Sequence, residues 1–78
     1  MANIQSPLPG TFYQKPSPEE APYKSNGDSV NIGDTIGLVE VMKTFIEVKS
    51  DIRGTFSEYL AVDAAPIQAG DFLAELMA

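Results

Sequence analysis

The 78-residue chain repeats itself, and the repeat limits its possible folds more than any other feature. Ile4-Gln5-Ser6-Pro7-Leu8-Pro9-Gly10-Thr11-Phe12 aligns with Val48-Lys49-Ser50-Asp51-Ile52-Arg53-Gly54-Thr55-Phe56 at an offset of 44, with serine, glycine, threonine and phenylalanine identical. Val30-Asn31-Ile32-Gly33-Asp34-Thr35-Ile36 then aligns with Ile67-Gln68-Ala69-Gly70-Asp71-Phe72-Leu73 at an offset of 37, with Gly-Asp identical. The blocks recur in the same order, and the change of offset places seven extra residues between them in the first half. Such a duplication predicts two similar halves of short strands related by a pseudo-twofold axis.

The halves meet in the run Gly37-Leu38-Val39-Glu40-Val41-Met42-Lys43-Thr44-Phe45-Ile46-Glu47-Val48, which is β in character and carries no helical stripe. One strand of that length would be unusual, so a reversal is expected at Met42-Lys43. Tight two-residue hairpins favour Asn-Gly or Asp-Gly, because their central residues need positive φ. Residues unsuited to their turn point to a task other than turning. Lys43 is therefore the candidate functional residue, although a lysine at a loop tip can equally serve only to solubilise a sheet edge. Alternation in Thr55-Phe56-Ser57-Glu58-Tyr59-Leu60 and Phe72-Leu73-Ala74-Glu75-Leu76 predicts two further strands. Gly10, Gly27, Gly33, Gly54 and Gly70 are expected to mark turns, with Asn26-Gly27-Asp28, Gly33-Asp34 and Gly70-Asp71 the strongest signals, and no segment reads as a helix.

The extra residues fall between Tyr13 and Ser29, where Lys15-Pro16-Ser17-Pro18-Glu19-Glu20-Ala21-Pro22-Tyr23 holds three of the six prolines. A central strand cannot form there. The stretch is either a solvated polyproline-like loop or a protruding finger, stiffened by proline and ending near the aromatic Tyr23.

Composition narrows the chemistry. A chain of this length makes one small domain, stable by about 4–12 kcal/mol. There are no cysteines to staple it, which gives no reason to expect an oxidising compartment. No apolar stretch reaches membrane-spanning length, and Met1-Ala2-Asn3 does not read as a signal sequence. Five basic against eleven acidic residues, a formal charge of −6, argue against nucleic acid and anionic membranes as partners. Without Cys, His or Trp, the usual zinc sites, thiol nucleophiles and histidine bases are unavailable. The carboxylates form no conspicuous spaced pair, and the glycines make neither GxGxxG nor a P-loop.

From about Ile4 to Leu76 the sequence resembles the biotinyl domains of biotin carboxyl carrier proteins, the carrier subunits of acetyl-CoA carboxylases. Ser6-Pro7-Leu8-Pro9-Gly10-Thr11-Phe12-Tyr13 is similar to the family's first hairpin. Pro16-Ser17-Pro18 resembles the start of its thumb insertion, and Val30 to Thr35 and Val39-Glu40-Val41-Met42-Lys43 follow in the family's order. The resemblance implies one all-β domain over 1–78, a flattened antiparallel sandwich of two pseudo-twofold-related halves of the biotinyl/lipoyl hammerhead type, with a thumb at 15–24. By the same resemblance Lys43 is the attachment point of covalent biotin, and Glu40, Val41, Met42 and Thr44 are elements recognised by a biotin protein ligase. Pro16, Ser17, Pro18, Glu19 and Tyr23 would belong to a thumb covering the biotin ring. The family's usual motif has alanine before the methionine and methionine after the lysine. Val41 and Thr44 depart from both, which bears on which ligase modifies the chain.

A carrier needs none of the missing catalytic groups. The lysine stem is long and flexible, and tethering raises the local concentration of the cargo at each enzyme site. The resemblance thus implies a non-catalytic carrier whose biotin is carboxylated by a biotin carboxylase and discharged to an acyl-CoA, acetyl-CoA foremost, at a carboxyltransferase. The setting would be cytoplasmic, or plastid in a plant. Three alternatives stand beside it, one of them a free-standing enzyme. A lipoyl domain of an oxoacid dehydrogenase shares the fold but typically presents Asp-Lys-Ala and lacks the thumb. An unmodified interaction module could use the same sandwich.

Overall fold

Eight strands and no helix make up the computed structural model, which describes residues 2–77. They are β1 (Ala2–Gln5), β2 (Gly10–Tyr13), β3 (Ser29–Val30), β4 (Thr35–Val41), β5 (Thr44–Lys49), β6 (Gly54–Tyr59), β7 (Ala65–Ile67) and β8 (Phe72–Met77). Two four-stranded antiparallel sheets, ordered β1-β8-β6-β3 and β5-β4-β2-β7, face each other in a flattened body of 34 × 27 × 20 Å. Among the described residues no helix is long and apolar enough to cross a membrane.

The sequence repeat is written into this topology. Replacing β1, β8, β6 and β3 by β5, β4, β2 and β7 converts one sheet into the other, strand for strand. Each sheet therefore holds strands of both halves, and neither half can complete a sheet alone. The core obeys the same relation: Ile4 and Val48, Phe12 and Phe56, Val30 and Ile67, Ile36 and Leu73, Val39 and Leu76 are buried as equivalent pairs. Burying each of these side chains contributes about 1.5–3 kcal/mol.

Polar links repeat as well. Ser6 and Ser50 are buried, and their hydroxyls donate to the carbonyls of Leu8 (2.6 Å) and Ile52 (2.7 Å). The Ser6 amide donates to Asp71 O while Ser6 O accepts from the Gly70 amide; Ser50 does the same with Asp34 and Gly33, all at 2.8 Å. Each half is thus latched to the Gly-Asp turn of the other. Gly33 and Gly70 have φ of 94° and 89°, a region that glycine enters without steric cost. The following aspartates accept the Asn31 and Gln68 amides, closing both turns.

Two expectations are corrected. Gly10 and Gly54 are not turn residues; they open β2 and β6. A Cβ at Gly10 would stand 2.5 Å from Glu40 O, and one at Gly54 2.6 Å from Met77 O, so both are glycine because a neighbouring backbone passes too close for a side chain. Alternation also fails in β8, where Leu73 and Ala74 are both buried. The pairing of β1 with β8 shifts register between Ile4 and Gln5, leaving Leu73 without an opposite residue. The shift in β4 between Thr35 and Gly37 does the same at Ile36. A bulge turns two successive residues inward, which a period-two pattern cannot express.

Candidate functional site

β4 and β5 are joined by a two-residue turn, with Val41 opposite Thr44 and Met42 and Lys43 at the tip. Both tip residues are left-handed, with φ of 50° and 67°. That conformation costs a residue bearing a Cβ about 1–2 kcal/mol, so the long β4–β5 ladder holds a turn that its own residues disfavour. The result is exposure: Met42 is 92% accessible, and among the described residues Lys43 has no ion pair. Lys43 is exposed as well.

The residues flanking the turn divide between the two faces of the sheet. Val41 is half-buried and packs against the core, and Thr44 opposite it is exposed. Glu40 faces outward and accepts the Tyr13 hydroxyl at 3.2 Å, while the Tyr13 ring leans against Phe45 with centroids 6.1 Å apart. Burial, and then the Glu40 carboxylate, raise the Tyr13 phenol above its ordinary pKa, so it remains a donor to Glu40 at neutral pH.

Residues 14–28 join β2 to β3 and project over this outer face. The base of the projection is closed where the Tyr23 amide donates to Gln14 O (2.9 Å), and its far end turns where the Glu20 amide donates to Ser17 O (3.2 Å). Gln14 ties the base to the β6–β7 connection through Asp63 Oδ1 (2.7 Å) and Ala61 O (2.9 Å). Lys24 anchors the returning limb: its amide donates to the Tyr59 hydroxyl and its ammonium pairs with Asp34, each at 3.3 Å.

Between the projection and the sheet lies a groove of about 470 Å³, within the range of small-molecule sites. Tyr13, Leu38 and Phe45 form its floor, residues 15–18 one wall, and Asp63 with Ala64 the other. Leu38 is only 8% exposed although it points away from the core. Phe45, the second residue of β5, lies two positions beyond Lys43 in the chain. Leu38 and Phe45 thus put the groove on the outward face of the hairpin that ends in the Met42-Lys43 tip.

Of the thumb residues named from the sequence, Pro16, Ser17 and Pro18 line the groove, whereas Glu19 and Tyr23 do not. Glu19 is exposed. Tyr23 is half-buried, its phenol pushed up by burial and further by the Glu47 and Glu20 carboxylates. The floor residues Tyr13, Leu38 and Phe45 were not singled out as site residues from sequence. Their signal was the alternation about Glu40: in a hairpin turning at Met42-Lys43, Leu38 and Phe45 share its outward face.

The family model described as "Biotin-requiring enzyme" matches residues 2–76. The chain is similar to a biotin carboxyl carrier protein of acetyl-CoA carboxylase from Chlamydia trachomatis, 41% identical over 70 residues, which are 90% of this chain and 43% of the relative. It is similar also to the chloroplastic biotin carboxyl carrier protein of acetyl-CoA carboxylase 1 from Arabidopsis thaliana, 39% identical over 67 residues, 86% of this chain and 24% of the relative. A third relative, the biotin carboxyl carrier protein of acetyl-CoA carboxylase from a Nostoc species, is 35% identical over 68 residues, 87% of this chain and 37% of the relative. The chain spans less than half the length of these curated relatives.

Proposed function

The chain belongs to the biotin-requiring enzyme family, and from that premise we propose that it is the carrier domain of a biotin-dependent carboxylase, with biotin held in amide linkage on Lys43. The observation that carries the proposal is an exposed Lys43, with no ion pair among the described residues, on a strained two-residue turn at the end of the hairpin whose outward face floors an apolar groove. A turn optimised for stability would have no lysine there.

The residues present suit the group. An accessible primary amine is the nucleophile that an activated carboxyl group requires, and the groove is of a size for a small bicyclic ring. Bound biotin supplies a ureido nitrogen on which a carboxyl group can travel from a biotin carboxylase to an acyl-CoA at a carboxyltransferase. This chain's residues anchor, present and shelter. Lys43 fixes one end of the arm to a rigid sheet. The exposed Met42 and the outward Glu40, held by Tyr13, present the tip to a biotin protein ligase, and Val41 and Thr44 set its flanks. The projection formed by residues 14–28 walls a groove into which the arm can fold. The domain itself performs no bond chemistry.

The names of the relatives support acetyl-CoA as the acyl acceptor and favour a biotin carrier over a lipoyl domain. Co-expression with a biotin ligase, followed by intact mass and peptide mapping, tests the proposal. One biotin on Lys43 is expected; biotin on Lys15, Lys24 or Lys49, or lipoyl in its place, overturns it.

A further inference from the structure

Among the described residues Lys15 is the one cationic side chain lining the groove. It is half-buried, and among the described residues it pairs with no carboxylate, whereas Lys24 and Lys49 have partners at 3.3 and 3.9 Å. The other charged group on the lining, Asp63, already accepts the Gln14 amide at 2.7 Å. The floor is otherwise Leu38, Phe45 and the ring of Tyr13. The lining thus sets an ammonium that has no salt-bridge partner among the described residues beside an apolar floor. An anion with an apolar body would suit both.

We propose that the groove retains the arm of Lys43 in its anionic state, the ureido ring bearing an N-carboxylate, with the Lys15 ammonium as counter-ion and the Ser17 hydroxyl as a neighbouring donor. This rests on biotin being attached at Lys43. The ring without its carboxyl group is neutral and gains only apolar contact with Leu38 and Phe45. The carboxylated ring gains the same contact and an ion pair. A half-exposed pair changes a population by roughly two- to fivefold, enough to bias the arm towards the groove when loaded without locking it there. The loaded arm would then travel sheltered and leave the groove where an enzyme site binds it more tightly. Lys15 is in this sense a positioning residue.

The test uses the domain biotinylated on Lys43, its loading verified by intact mass, and NMR of backbone amides and leucine methyl groups. Spectra are recorded before and after carboxylation with biotin carboxylase, ATP and ¹³C-bicarbonate, for the native chain, Lys15→Arg and Lys15→Met. Carboxylation is expected to move the Ser17 amide and the Leu38 methyl signals in the native chain and in Lys15→Arg, with return as the ¹³C-carboxyl signal decays. In Lys15→Met these shifts should fall roughly two- to fivefold. Equal shifts in Lys15→Met, or no groove response to carboxylation in the native chain, overturn the inference while leaving attachment at Lys43 intact. Absence of biotin on Lys43 appears in the mass spectrum and overturns both.

Discussion

The Tyr59 hydroxyl donates to the Ile36 carbonyl at 2.7 Å, joining β6 of one sheet to the bulge residue of β4 in the other. The same oxygen accepts the Lys24 amide, and the ring packs against Phe12 and Phe56 with centroids at 6.1 and 4.7 Å. One phenol thus ties together both sheets and the returning limb of the projection. Tyr59→Phe leaves the Ile36 carbonyl and the Lys24 amide without a partner, and should lower the unfolding free energy by about 1–2 kcal/mol in urea titrations. Labelling of Lys43 should continue.

The same residue sets an alkaline limit. Burial pushes the Tyr59 phenol up to about 12, with Tyr23, Asp28 and Asp63 adding to the rise and the Lys24 amide opposing it. The unfolded chain ionises this phenol near pH 10 while the folded chain keeps it protonated, so the folded state binds more protons in that interval. Stability should therefore fall as pH rises from about 10 to about 12. Thermal unfolding across this range should show a shallower decline in Tyr59→Phe than in the native chain; equal slopes would remove Tyr59 as a cause.

Stability and function should oppose each other at the tip. Replacing Met42-Lys43 by Asn-Gly gives the turn residues that tolerate positive φ, and should raise stability by about 1–2 kcal/mol. The same variant should accept no biotin. Loss of stability on this exchange would mean that Met42 and Lys43 are not strained in solution.

Lys43→Arg separates chemistry from fold. Arginine keeps charge and length at an exposed position, but its guanidinium does not make the amide readily. A streptavidin blot should show no labelling, while circular dichroism and the unfolding midpoint stay unchanged.

Removing residues 17–23 sets two effects against each other. Shortening a surface loop reduces its closure cost by about 0.6 kcal/mol per halving of length. Uncovering Leu38 forfeits part of the roughly 1.5–3 kcal/mol that its burial contributes. The second is larger, so a net loss of about 1 kcal/mol is expected, with the fold and Lys43 labelling retained and the biotin ring's NMR signals moved towards those of the free cofactor. An unfolded product would make the projection a structural element; unmoved ring signals would separate it from the prosthetic group.

At Gly37 an added Cβ would stand 2.5 and 2.8 Å from the ring of the fully buried Phe12 and 2.9 Å from Tyr13 O. Gly37→Ala should therefore cost about 1–3 kcal/mol, measured by the shift in urea midpoint. Its equivalent in the other half, Ala74, already carries a Cβ, so Ala74→Gly should instead lose packing there.

The strands β4, β5, β6 and β8, the equivalence of the two halves and the position of the lysine turn were legible in the sequence because each depends on short-range order. Offsets of 44 and 37 align residues that occupy the same place in two like halves, β-branched and aromatic residues suit a pleated surface, and Gly-Asp suits a turn wherever it occurs. Tertiary structure alone decided what distant strands do to one another. Gly10, Gly37 and Gly54 look like the turn glycines in composition, yet each answers to another segment passing within 3 Å of its missing Cβ. The bulges at Ile36 and Leu73 depend on register with β5 and β1, which no local pattern encodes. The groove follows the same rule. Leu38, Phe45, Tyr13 and Lys15 have ordinary neighbours along the chain, and become a site only when residues 14–28 close over the outer face of a sheet built from both halves.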